Sequence, residues 1–209
     1  MTFYNKILDI YKNLACDFCE PDFAEYNKLT GLSKEDWLDN QRSIQFLEDY
    51  AYTNKPRPKE WDLLKGKVFN AHINNKEFLY PTKIFNNGYI VSCKRSGNLF
   101  DNKGFEALMS SMTNLGEECM YLEKVKEDYE TQSLCFSFPT SIKWNDIVSG
   151  GYIASFLIDY PHGFFFLFGP SAKWGLFVAN DAEVDVELLG IKKEISNCFA
   201  PYYQYESSF

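Results

Sequence analysis

Between Gly151 and Gly190 the chain alternates strand-length apolar runs with glycine, proline and polar breaks. Tyr152–Tyr160 and Phe164–Phe168 flank Pro161, His162 and Gly163, and Trp174–Ala179 follows the polar turn Gly169-Pro170-Ser171-Ala172. Aromatic and β-branched runs cut at this spacing predict a β-meander. Its expected strands are Tyr152–Ile158, Phe164–Phe168 and Trp174–Ala179, with Phe156, Phe166 and Phe177 in the core.

Upstream the period changes. Phe3, Ile7, Ile10, Leu14 and Phe18 fall at helical spacing, which predicts a helix over Phe3–Cys19 that Pro21 ends. A second helix opens at Ser33, whose hydroxyl suits an N-cap, with Glu35 and Asp36 near its positive end. Trp37, Ile44, Leu47 and Tyr50 form its apolar stripe. The segment Thr53–Lys59, TNKPRPK, is a proline-stiffened boundary. Beyond it, Lys67–Ile73, Phe78–Tyr80 and Tyr89–Lys94 read as strands, with turns at Asn74-Asn75 and Asn86-Asn87-Gly88. A helix through Phe105, Leu108, Met109 and Met112 ends near Gly116. Cys119–Val125 and Ser133–Phe138 are further strands, and Thr140 caps a short helix over Ser141–Val148. Strand clusters with helices set between them predict one α+β domain over residues 1–209 with a mostly antiparallel sheet. Its helical part, residues 1–53, packs against the sheet-rich part, residues 60–209.

Composition narrows the class. The chain of 209 residues is 45% hydrophobic and 18% aromatic, too apolar for a disordered segment. Asp159, Pro161 and Gly169 break its longest apolar runs, and charged residues interrupt the N-terminus, so neither a membrane span nor a secretion signal is expected. The expected compartment is the cytoplasm, with the six cysteines reduced. Cys16-x-x-Cys19 has zinc-ligand spacing, but no second ligand pair completes it, and both residues would share a helix face as small hydrophobes.

The net charge of −8 is unevenly spread. From Asn54 to Arg95 nine Lys/Arg meet three Asp/Glu, while the rest holds 12 Lys/Arg and 26 Asp/Glu. Such an acidic surface disfavours nucleic acid and anionic membrane and favours a basic protein partner, although solubility alone also requires charge.

Reaction motifs are scarce. His72 and His162 lie outside any nucleophile motif, and Gly150-Gly151 precedes a predicted strand where a phosphate loop needs a helix. No catalytic residue, metal ligand or cofactor is assigned. Asp181, Glu183, Asp185 and Glu187 alternate with apolar residues, so an extended backbone would set four carboxylates on one face. That row could meet a basic partner or could protect an edge strand. Val184, Leu188, Ile191 and Ile195 also fit a helix, which would break the row. Glu127, Asp128 and Glu130 form a second acidic cluster. Trp174 is either an interface anchor or a core residue closing the last strand.

The run Phe168-Gly169-Pro170-Ser171-Ala172-Lys173-Trp174-Gly175, then Ala179-Asn180-Asp181 and Leu189-Gly190-Ile191, resembles a pattern in uncharacterised bacterial proteins. Some of these resemble immunity proteins of polymorphic-toxin and contact-dependent inhibition systems. The likeness covers about 25 of the 209 residues. It implies a small cytoplasmic protein that binds a cognate toxin domain, in many cases a basic nuclease, and blocks it without catalysis. Alternatives are an adaptor for another protein, an enzyme of unrecognised class, or a ligand carrier built on the aromatic sheet.

Overall fold

The computed structural model describes residues 34–52, 57–70, 81–94, 102–125, 134–151, 163–181 and 184–206. In chain order these form α1 (Lys34–Tyr50), α2 (Trp61–Val68), α3 (Pro81–Ile84), β1 (Tyr89–Lys94), α4 (Asn102–Leu115), β2 (Cys119–Val125), β3 (Leu134–Pro139), α5 (Trp144–Val148), β4 (Gly163–Phe168), β5 (Trp174–Asp181) and β6 (Val184–Lys192). A 3-10 helix (Lys193–Phe199) and α6 (Ala200–Glu206) follow. The strands make one six-stranded antiparallel sheet in the order β1-β6-β5-β4-β2-β3, and the protein is an α+β domain.

The expected strands over Phe164–Phe168 and Trp174–Ala179 are present and continue into a third. β4, β5 and β6 pair consecutively, and the other side of β4 is held by β2. Tyr152–Ile158, with Phe156, lies outside the described residues. Residues Val184–Lys192 are a strand, so the helical alternative for this segment is corrected. Its apolar residues recur at both periods, and pairing with β5 and β1 on its two sides settles the choice.

Two-residue alternation gives the sheet two apolar faces. On one, Leu122, Phe136, Phe165, Leu176 and Leu189 pack with Phe46 and Leu47 of α1, Phe105, Leu108 and Met112 of α4, and Phe199. On the other, Phe166, Phe168, Phe177 and Leu188 pack with Trp61, Leu64 and Val68 of α2 and with Phe69, Ile84 and Phe85. Phe166 and Phe177 are buried, as their runs require. Burial on both faces explains why β4 and β5 read as continuous apolar runs rather than alternating ones.

The expected strand at Lys67–Ile73 is corrected at its start: Lys67 and Val68 end helix α2, and residues 71–80 lie outside the described set. Phe69 makes only an isolated bridge to Phe85. The two rings, 5.2 Å apart, enter a hollow made by the cross-strand pair Gly175 and Gly190. A Cβ on Gly175 would stand 2.7 Å from the Phe69 ring, and one on Gly190 2.4 Å from the Phe85 ring. Both glycines are there for close approach.

Candidate protein-binding site

Several groups that could carry chemistry are engaged in holding the fold. Glu117, 7% exposed, accepts hydrogen bonds from the Ser171 hydroxyl, from the Ser171 backbone N–H at 3.3 Å and from the Trp174 indole at 3.1 Å. It thereby clamps the Gly169–Trp174 turn, where Ala172 holds a positive φ of 51°. Tyr89 ties the same turn to β1 by donating to the Ala172 carbonyl at 2.6 Å. Burial and Glu194 push its phenol up to about 12. On the α2 face, Glu123 accepts from the Trp61 indole at 3.0 Å and from Lys65 at 2.8 Å. The Lys65 ammonium also lies 4.3 Å from the Phe166 ring centroid. Arg57 donates to the Cys135 sulfur at 3.7 Å. Desolvation and then Glu123 push the Cys135 thiol up to about 11, so it is a neutral, unreactive thiol at physiological pH.

The residues expected to meet a partner are not gathered in one place. The pairing of Asp181 with Val184 shows that the chain reverses between them, so the four carboxylates do not run along one strand. Asp181 ends β5, Asp185 pairs with Asn180 near the start of β6, and Glu183 lies outside the described residues. Glu187 is only 3% exposed, opposite Val178 and Lys94, which corrects the solvated row. Trp174 is fully buried, its indole on Glu117 and its ring 5.9 Å from Phe199, so it is core and not an exposed anchor. Glu127, Asp128 and Glu130 lie outside the described residues, as do His72 and His162.

A different place brings exposed charge and aromatic surface together. Arg42, Gln45, Phe46, Asp49 and Tyr50 of α1, with Asp146, Ser149 and Gly150 at the end of α5, line a cleft of about 250 Å³. Gly151 fixes the approach of these elements. It has a φ of +69°, and a Cβ there would stand 2.6 Å from the Asp39 carbonyl and 2.7 Å from the Ser43 hydroxyl. The cleft floor is aromatic: the Phe46 and Tyr50 rings lie 5.1 Å apart, with Phe138 packed behind Tyr50 at 5.3 Å. Its rim carries two carboxylates. Asp49 accepts from Gln45 at 2.9 Å, and Asp146 accepts the Lys143 backbone N–H at 2.8 Å. Each retains lone pairs for a further donor. Desolvation, then Asp146, then Asp49 raise the Tyr50 phenol above its ordinary value, keeping it a neutral hydrogen-bond donor. The lining sets the carboxylates of Asp49 and Asp146 against one guanidinium, Arg42, and this acidic excess over an aromatic floor suits a further guanidinium or ammonium group. The volume falls below the roughly 300–1,000 Å³ usual for a small-molecule site and suits an inserted side chain.

Among the described residues no group of three or more His, Cys, Asp or Glu could hold a metal ion, and no helix is long and apolar enough to cross a membrane. Comparison with protein-family models, with curated proteins and with solved structures returned no match.

Proposed function

We propose that this protein is a non-catalytic binding module whose partner is a basic protein, and that it acts as an immunity protein by covering a toxin domain. The observation that carries this reading is the cleft between α1 and α5, with its aromatic floor and the carboxylates of Asp49 and Asp146 on its rim. A basic side chain of the partner enters it, and the wider charge of −8 speeds the encounter. The engagement of Glu117, Glu123 and Cys135 in structural contacts supports binding over catalysis. The turn at Phe168–Gly175 supports the immunity assignment through its resemblance to proteins of that kind.

The test is capture from the native host followed by a toxicity assay. The tagged full chain is expected to retain a basic protein encoded beside its own gene, whose expression alone stops growth and whose co-expression with this chain does not. Asp49→Asn with Asp146→Asn should lower affinity for that partner by about tenfold or more. An acidic partner, or an affinity unchanged in the double variant, would contradict the assignment of the cleft. A partner that is harmless when expressed alone would remove the immunity role.

A further inference from the structure

The charges of the cleft between α1 and α5 do not cancel. Two carboxylates, Asp49 and Asp146, face one guanidinium, Arg42, so a single negative charge is left over. Among the described residues none of the three is in an ion pair. The carboxylates stand on different walls, Asp49 on α1 and Asp146 on α5, and each is braced from its own wall by the bond from Gln45 or from the Lys143 backbone. Tyr50 lies between them. After desolvation, Asp146 and then Asp49 raise its phenol, which puts both carboxylates within electrostatic reach of one point. The ring is half-buried, held by Phe46 in a T-shaped contact and by Phe138, and its remaining surface lines the cleft. Both carboxylates are exposed to water, and there an ammonium gains little from an ion pair because it stays strongly hydrated. A guanidinium is planar and more weakly hydrated, stacks on a ring, and carries donors on more than one edge.

We propose that the cleft reads arginine: the partner inserts a guanidinium rather than an ammonium, its plane stacked on Tyr50 and its donor edges answered by Asp49 and Asp146. This rests on the basic-partner reading above and names the residue that the partner presents. One guanidinium supplies the one positive charge that the lining lacks. Two carboxylates on separate walls suit a group that donates in two directions within a plane, whereas an ammonium at the same point keeps its water and forgoes the stack. Val148, 46% exposed and two residues beyond Asp146 on α5, offers an apolar shoulder for the methylene stem that carries the guanidinium.

The test titrates the full chain with N-acetyl-arginine amide, N-acetyl-lysine amide and the neutral isostere N-acetyl-citrulline amide at one ionic strength, followed by backbone amide NMR shifts. The arginine probe should bind in the millimolar range, with shifts concentrated in Arg42–Tyr50 and Trp144–Gly150. The lysine probe should bind about threefold or more weaker, and the citrulline probe about tenfold or more weaker. Asp49→Asn and Asp146→Asn should each weaken the arginine probe. Tyr50→Phe should keep the preference for arginine and Tyr50→Leu should abolish it, both in variants with native circular dichroism. Equal affinity for the arginine and lysine probes, or a preference that survives Tyr50→Leu, overturns the arginine reading and leaves a basic partner in place. Absence of shifts in the two cleft segments with every probe overturns the pocket itself. An acidic partner in the capture experiment removes the reading beneath it, whatever the probes show.

Discussion

The same chemical change has opposite consequences at different glycines. Gly190 faces the Phe85 ring, so Gly190→Ala must displace an aromatic residue that also bridges to Phe69, and it should cost about 1–3 kcal/mol. Gly66 lies inside α2 with nothing within 4 Å of an added Cβ, and Gly66→Ala should stabilise by about 0.5–1 kcal/mol through helix propensity. Urea unfolding of the two variants checks both signs. Cys135 offers a pH-dependent counterpart. Its thiol holds a proton more tightly in the folded state, at about 11 against an ordinary 9.0. The associated stability is therefore complete below pH 9 and is lost as pH rises through about 11. The loss from this thiol should be on the order of 2 kcal/mol, so Cys135→Ala should lose that much less than the wild type in thermal unfolding between those limits, the remainder coming from raised phenols such as Tyr89. Thiol reagents at neutral pH should label Cys135 in the folded protein slowly compared with the half-buried Cys119 and Cys198.

At the scale of elements, α2 is docked by a buried polar contact as well as by apolar area. Trp61 and Lys65 both donate to Glu123 on β2, which is 5% exposed. Glu123→Ala leaves the indole N–H and the ammonium unanswered and should cost about 3–5 kcal/mol. Replacing the ion pair with apolar residues, Glu123→Leu with Lys65→Met, should recover only part of that loss, because the ammonium is removed while the buried Trp61 indole N–H still lacks its acceptor. A double-mutant cycle by chemical denaturation measures the coupling. This contact also shows where sequence pattern stops being informative. The strands Tyr89–Lys94, Cys119–Val125 and Trp174–Ala179 were legible because strand-length apolar runs and turn residues mark them, the last extending in the structure to Asp181. α2 was not: its eight residues read WDLLKGKV, and the strand expected over Lys67–Ile73 overlaps its last two residues. The acidic row failed for a related reason. Alternation from Asp181 to Glu187 is compatible with a strand, but the register shows a chain reversal inside it and burial of Glu187 beyond it. The cleft was invisible because Asp49 and Asp146 belong to distant helices, and only the approach of α5 to α1 at Gly151 brings them together.

At the scale of the whole molecule, a sheet covered on both faces supports a surface whose acidic excess lies outside Asn54–Arg95. Long-range attraction sets the encounter rate, so association with a basic partner should slow steeply as salt is raised. If a partner side chain fills the cleft, Asp49→Asn with Asp146→Asn should act mainly on dissociation, while costing about 0.5–1 kcal/mol of stability through the Asp146 contact at the start of α5. Stopped-flow association and surface-based dissociation measurements separate the two effects. The most direct measurement of the central claim is hydrogen exchange of the chain alone and in complex with its captured partner. Slowed exchange should be concentrated in Arg42–Tyr50 and Trp144–Gly150, the two walls of the cleft. Slowed exchange confined to α2 and α3 on the opposite face of the sheet, with the cleft amides unchanged, would contradict it.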